Sequence, residues 1–280
     1  MHHPTLSRDG KRVAVWSHDS FKPNGFNRAQ DITNDGMLRV YDVDKPDEPI
    51  AKFEHKHANR ILFTPDGQIL YTMEQSEPYS QQAKEVTFAV YRIDLKTKKK
   101  VKLNLLAEHH LADISPDGKT LLTTMFAATD GKFQAIPHRV PLDTLKPEPL
   151  TKISIRSIQF SPDGRRFIGS KYVEPMNPGR QELAVVDLKD GKDAAVKLDG
   201  ETLMVWGAAW APDGKRLVVN RTVILGNEKA KGPLPIPVGG GKQPDEVLIQ
   251  KIEVTIRNLD GSDPRACYAL KGGGGYSLAG

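Results

Sequence analysis

The sequence has one cysteine, Cys267, in 280 residues. That excludes an internal disulfide and any cysteine-built zinc site. Cys267 sits in an apolar alternation, Ala266-Cys267-Tyr268-Ala269-Leu270, which reads as a buried strand position. Long apolar runs are missing as well. No stretch approaches the roughly 18–20 residues of a membrane-crossing helix, so no membrane insertion is expected. The opening residues, Met1-His2-His3-Pro4-Thr5-Leu6, lack a basic segment followed by an apolar one, so no secretory leader is visible. The compartment stays open: cytoplasmic as the chain reads, extracytoplasmic if the native start lies further upstream. No segment carries a 3.6-residue apolar period over helix length. Charge of one sign is not gathered anywhere. The net charge is +5, yet Lys and Arg are scattered among almost as many Asp and Glu. The one dense run, Lys96 to Lys100, reads as a solvated hairpin tip, so nucleic acid is not an expected partner.

What the sequence does contain is a repeat. An Asp-Gly turn between two apolar strands recurs as Leu6-Ser7-Arg8-Asp9-Gly10, Phe63-Thr64-Pro65-Asp66-Gly67, Ile114-Ser115-Pro116-Asp117-Gly118, Phe160-Ser161-Pro162-Asp163-Gly164 and Trp210-Ala211-Pro212-Asp213-Gly214. Successive Asp residues lie 57, 51, 46 and 50 positions apart. Pro presets φ at the first corner, Asp accepts local backbone bonds, and Gly takes the positive φ on which the chain reverses. A strand such as Arg12-Val13-Ala14-Val15-Trp16 or Arg216-Leu217-Val218-Val219 follows each turn, so each copy marks a tight hairpin. A second hairpin follows after a variable loop, as in Ala184-Val185-Val186-Asp187-Leu188. Two hairpins per repeat make a four-stranded antiparallel sheet, and such sheets bury their faces by stacking on one another.

The Ser-Pro-Asp-Gly-Lys/Arg turn with its later Val-Val-Asp-Leu or Asn-Leu-Asp-Gly-Ser-Asp-Pro-Arg hairpin resembles the WD40-like repeats of TolB and related β-propellers. The resemblance covers nearly the whole chain and implies an all-β propeller of four-stranded blades. Residues 1–280 are expected to form one propeller domain, with blades near 1–56, 57–107, 108–153, 154–202 and 203–271 and a tail at 272–280. Six blades are usual in that family. Five repeats therefore mean either a five-bladed ring or part of a longer propeller.

Binding sites are expected on long loops held by a rigid scaffold. The longest loops fall between the second and third strands of each repeat, at Ser17–Gly36, Glu74–Glu85, Ala127–Gly131, Val173–Arg180 and Thr222–Glu246. Aligned on the turn Asp, the residues seven positions earlier are His2, Asn59, His110, Arg156 and Trp206, with Arg60 beside Asn59. These positions open the inner strands and are polar or aromatic. Three positions before the Asp the column is apolar: Leu6, Phe63, Ile114, Phe160 and Trp210. Asn59, Arg60, His110, Arg156 and Trp206 are thus the candidate binding residues, suited to an acidic peptide or small anion. Polar residues at a strand mouth are equally explained by contact with water. Trp16 and Trp210 fall on core positions.

Catalytic and metal chemistry find little support. His2-His3, His55 with His57, and His109-His110 lie just before inner strands, but neighbours on a strand point to opposite faces and cannot share one ion. No metal or other cofactor is expected. Gly275-Tyr276-Ser277-Leu278-Ala279 faintly resembles a nucleophile elbow, without the helix and later Asp and His that an elbow needs. Gly239-Gly240-Gly241-Lys242 lacks the spaced glycine and hydroxyl of a phosphate loop. The sequence therefore favours a non-catalytic propeller that serves as a protein- or peptide-binding or scaffolding module, with binding at the channel mouth and long-loop face. Two alternatives stay open. One is the propeller portion of a prolyl-oligopeptidase-type serine hydrolase. The other is a channel-site propeller acting on a small ligand or glycan through carboxylates such as Asp19, Asp31, Asp35, Glu74 and Glu108.

Overall fold

Each Asp-Gly turn is closed by the same set of bonds. In the computed structural model Ser161 Oγ donates to Asp163 Oδ1 at 2.5 Å and accepts the Arg166 amide at 3.0 Å. The Arg165 amide donates to the same Asp163 oxygen at 3.0 Å. Thr64 with Asp66 and Ser115 with Asp117 repeat this arrangement at 2.5 Å, and Ser7 with Asp9 at 2.6 Å. The turn glycines have φ between +65° and +74°, a region in which a side chain is strained. In the fifth copy Ala211 has no hydroxyl to offer, and Arg216 Nε donates to Asp213 Oδ2 instead, at 2.8 Å.

The structure describes residues 4–17, 35–56, 58–75, 88–105, 109–129, 132–172, 181–199, 201–229 and 246–272. They form five four-stranded antiparallel sheets, each built from consecutive strands in chain order. The first sheet holds β1 (Thr5–Leu6), β2 (Arg12–Ser17), β3 (Asp35–Asp42) and β4 (Ala51–Lys56). The second holds β5 (Ala58–Phe63), β6 (Ile69–Gln75), β7 (Phe88–Asp94) and β8 (Lys99–Lys102). The third holds β9 (His109–Ile114), β10 (Thr120–Thr129), β11 (Lys132–Pro141) and β12 (Glu148–Pro149). The fourth holds β13 (Ile155–Phe160), β14 (Arg166–Tyr172), β15 (Gln181–Asp187) and β16 (Asp193–Ala195). The fifth holds β17 (Glu201–Trp210), β18 (Arg216–Lys229), β19 (Glu246–Asn258) and β20 (Arg265–Gly272). The architecture is a β-propeller of four-stranded blades.

The chain divides into two compact units, Met1–Lys152 and Ile153–Gly280. In the first, period-two alternation sends neighbouring side chains to opposite sheet faces. Ala14 and Trp16 of β2 join Ile61, Phe63 and Leu70 of the second sheet in one apolar cluster. Tyr71 and Met73, on the other face of β6, join Leu111, Leu121 and Val140 of the third. The turns are stapled too: Arg12 Nη1 donates to the Gly67 carbonyl of the next turn. Trp16 donates from Nε1 to the His55 carbonyl at 3.0 Å, so its one polar atom is satisfied in the core. In the second unit Ile168 of β14 packs with Val205, Leu217 and Val219 of the fifth sheet. Arg166 Nη2 reaches the Gly214 carbonyl at 3.5 Å, the same staple as in the first unit.

Several local expectations change. Cys267 is exposed rather than buried, because β20 is the edge strand of its sheet and residues 262–269 are all exposed, on and off the bulge where β20 shifts register against β19. Trp210 is only half-buried, with Nε1 bonded to the Gln159 carbonyl at 3.3 Å. Lys96 to Lys100 does turn a hairpin, but Lys100 folds back from it. Its ammonium donates to Glu74 and to the Glu54 carbonyl and lies 4.4 Å from the centre of the Tyr91 ring. Two expected loops begin as strand: β10 and β11 pair as far as Thr129↔Lys132, and β18 and β19 as far as Lys229↔Glu246. The other long loops lie largely outside the described residues, as do His2, His3, His57, Asp19, Asp31, Glu108, Gly239–Lys242 and Ser277.

Candidate functional site

The inner strands are where the candidate residues stand, and four of those strands are bulged. β5 shifts register between Ala58 and Arg60, β13 between Arg156 and Gln159, and β17 between Val205 and Gly207. β9 does so where Asp113 pairs with Leu122 and Leu111 with Thr123, which leaves Ala112 as the extra residue. A bulge inserts an unpaired residue and re-aims the side chains around it. The candidate column therefore falls on, or within two residues of, a recurrent irregularity of the inner strands.

In the first unit, Arg60 on β5 is exposed, yet its guanidinium is partly engaged. Nε and Nη2 donate to the Ala112 carbonyl of β9 at 3.2 and 2.7 Å, so the bulge on one inner strand receives the arginine of another. His110, two residues from Ala112, stands between two aromatic rings. The Phe88 ring lies 4.2 Å away at 56° and the Phe126 ring 4.7 Å away at 85°. Burial among these rings pushes its pKa below the ordinary value, so the imidazole is neutral at neutral pH. It contributes a ring surface and a hydrogen-bonding edge, not the positive charge that an anion grip would use. Asn59 lies in β5, and its side chain is outside the described residues.

In the second unit, Arg156 on β13 is half-buried and paired in register with Ser170. Ser157, the next residue, has φ 52°, a conformation that marks the bulge. Gly169 lies beneath it: a Cβ there would stand 2.8 Å from the Arg156 carbonyl oxygen and 2.4 Å from Ile155. Trp206 is the unpaired residue of the β17 bulge and is 57% exposed. Its indole is held in place, since Nε1 donates to Thr222 Oγ1 at 2.8 Å. Arg60 and His110 thus come together in one unit, and Arg156 and Trp206 occupy matching places in the other.

Of the histidines read from the sequence as potential ligands, His55 and His109 are built into the packing. His55 is on the outer strand β4, three residues ahead of the inner strand β5. Its Nδ1–H donates to the Lys56 carbonyl at 2.5 Å, and Thr72 Oγ1 meets Nε2 at 2.8 Å. Glu74, one of the carboxylates considered for catalysis, is buried beside it, 3.4 Å from Nδ1 and paired with Lys100. His109 bonds to Thr123 Oγ1 at 3.1 Å and meets the His138 ring edge-on at 4.8 Å. Among the described residues no group of three or more His, Cys, Asp and Glu side chains could hold an ion.

One polar cluster was not anticipated. Arg221 on β18 is almost wholly buried and donates to Glu253 Oε1 at 2.9 Å, Thr202 Oγ1 at 2.8 Å and the Asp199 carbonyl at 2.6 Å. Lys251 meets the other Glu253 oxygen at 2.7 Å. Burial alone would raise the Glu253 carboxyl, but Lys251 and Arg221 outweigh it and hold the group below its ordinary value. Arg221 and Glu253 share the covered face with Leu217 and Val219. The alternation in the strand sequences carried that signal: charged residues at apolar-phase positions.

No family model matches the chain, and no curated protein matches it significantly. Solved structures do. A protein assigned as TolB from Agrobacterium tumefaciens superposes with a TM-score of 0.61 at 16% identity, over 99% of this chain and 83% of the other. The fold is that of a TolB-like β-propeller. TolB from Acinetobacter baumannii gives 0.58 at 19% identity over 97% of this chain, which spans only 54% of that protein. The propeller domain of the Trilobed protease from Pyrococcus furiosus gives 0.50 at 13% identity, over 91% of this propeller and 76% of the other. At these identities the likeness concerns the fold. No helix among the described residues is long and apolar enough to cross a membrane.

Proposed function

We propose that this propeller is a non-catalytic module that binds a protein or peptide segment at the bulged openings of its inner strands. The observation that carries this reading is Trp206, exposed on a bulge with its indole fixed by Thr222. Binding hot spots are enriched in Trp, Tyr and Arg, and a side chain already held in one orientation loses little entropy when a partner arrives. Arg60 supports it: exposed, with its guanidinium oriented by Ala112. His110, between its two phenyl rings, offers a flat surface of the same kind. Arg156 stands at the matching place on β13. An extended segment with acidic and aromatic side chains fits donors and rings of this type.

A displayed random-peptide library, selected on the intact protein, tests the assignment. Peptides rich in acidic and aromatic residues should be enriched. Their affinity should fall at least about tenfold, or roughly 1.4 kcal/mol, when Arg60, His110, Arg156 and Trp206 are replaced together by Ala. Selected peptides that bind the quadruple variant as tightly as the parent would sink the site. A second reading is the propeller portion of a larger enzyme, favoured by the similarity to a protease's propeller domain. A hydrolase segment in the same open reading frame would move the balance to it.

A further inference from the structure

β8 is the outer strand of the second sheet, so one of its edges has no strand beside it. The Leu103 amide donates to the Val90 carbonyl at 2.8 Å, and the same register sets Lys102 opposite Tyr91 and Lys100 opposite Ile93. In an antiparallel ladder, successive residues turn their N–H and C=O groups alternately toward one side of the strand and the other. Leu103 faces β7, so Val101 and Lys99 face it too. The N–H and C=O groups of Lys100 and Lys102 therefore point out along the open edge.

The side chains around that edge are of one sign. Residues 95–102 hold five lysines, Lys96, Lys98, Lys99, Lys100 and Lys102, and no carboxylate. The chain has 40 Lys and Arg against 35 Asp and Glu, so this hairpin accounts for the entire net charge of +5. Glu74 neutralises Lys100. Lys96, Lys98, Lys99 and Lys102 are exposed and meet no carboxylate among the described residues. The nearest acid in sequence, Asp94, is occupied: it accepts the Lys96 and Thr97 amides at 3.1 and 2.9 Å and lies 3.6 Å from Arg92. Unpaired like charges repel one another, and protecting an edge does not require so many of them. A short strand or charge of mixed sign suffices. β12 and β16 are two and three residues long, and β4 alternates Lys52, Glu54 and Lys56.

We propose that the β8 edge takes up an acidic, extended segment of a partner protein as a fifth strand of the second sheet. Backbone bonds to Lys100 and Lys102 set the register. Carboxylates on the added strand meet Lys99 and Lys102, with Lys96 and Lys98 beyond them at the tip. Val101, 38% exposed, gives the added strand one apolar neighbour. The lysines also select. A second copy of this edge would bring lysine against lysine, so self-pairing is opposed while a strand of opposite sign is admitted. Single-stranded nucleic acid is disfavoured, because residues 95–102 include no aromatic ring on which a base could stack.

Fluorescence anisotropy of the intact protein with a labelled peptide of alternating Glu and Val, about ten residues long, gives the test. The peptide should bind saturably at about 50 mM salt and several-fold more weakly at about 300 mM, as the Debye length shortens. Replacing both Lys98 and Lys99 by Glu should weaken binding at least about tenfold, with an unchanged melting temperature, since both side chains are exposed. Lys102→Gln and Lys102→Pro separate charge from backbone. Both lose the ammonium, but only Pro loses the outward N–H, and it should bind about three- to tenfold more weakly than Gln, the worth of one hydrogen bond. An edge N–H of this kind makes no bond within the sheet, so circular dichroism should not change. No saturable binding by the parent below about 1 mM peptide, or equal binding by the double Glu variant, overturns the proposal. Equal affinity of the Pro and Gln variants overturns strand addition. Capture of phosphatidylserine vesicles in place of the peptide assigns the lysines to a membrane surface and overturns the proposal too. The quadruple Ala variant of the inner-strand site should bind this peptide as tightly as the parent; loss of binding there would assign the peptide to that site instead.

Discussion

Ser161 is a small side chain with two tasks, donating to Asp163 and receiving the Arg166 amide. Ser161→Ala removes both bonds from a buried corner and should lower stability by about 1–2 kcal/mol in denaturant titrations. It should also change the acid limb of the stability profile. Asp66, Asp117 and Asp163 have pKa values below the ordinary carboxylate value, first because the neighbouring Thr or Ser hydroxyl donates to them, then because a backbone amide does. A carboxyl lowered in the folded state binds protons more readily when unfolded. Its contribution is complete above the ordinary value and is lost as pH falls through the lowered one. Melting temperatures should therefore drop between roughly pH 5 and pH 3, with a shallower drop in Ser161→Ala. At this scale the sequence was most readable, since Pro, Asp and Gly act through their own backbone geometry. Cys267 was misread because apolar alternation shows a strand but not that the strand lies at the edge of its sheet, where its residues stay exposed.

At the scale of the element, the inner strands depend on their bulges, and β13 shows how. Gly169 faces the Arg156 carbonyl across the irregularity with no room for a methyl group. Gly169→Ala should cost about 1–3 kcal/mol by overpacking and should displace Arg156, which a matching loss of peptide affinity would report. Equal stability to the parent would mean that the strand can straighten. The five hairpin pairs were legible from turn spacing and alternation, both local properties. The bulges were not, because an extra residue in one strand shows only once its partner strand is known. The same limit hid the Arg221–Glu253 pair, which joins strands 32 residues apart in sequence.

At the scale of the molecule, the four-stranded blades and their TolB-like fold follow from a repeat visible in the sequence. The candidate binding residues were legible as a column, but their surroundings were not. Burial makes His110 neutral, a carbonyl orients Arg60, and a hydroxyl on the next strand fixes Trp206. The account stands or falls on whether a bound segment contacts the bulged openings. Hydrogen–deuterium exchange with and without a selected peptide measures this directly. The account predicts added protection at residues 58–60 and 109–112 of the first unit or at 155–158 and 204–207 of the second, with little change at the Asp-Gly turns. Protection at the turns of Asp66, Asp117, Asp163 and Asp213, with none at the inner-strand openings, would contradict it.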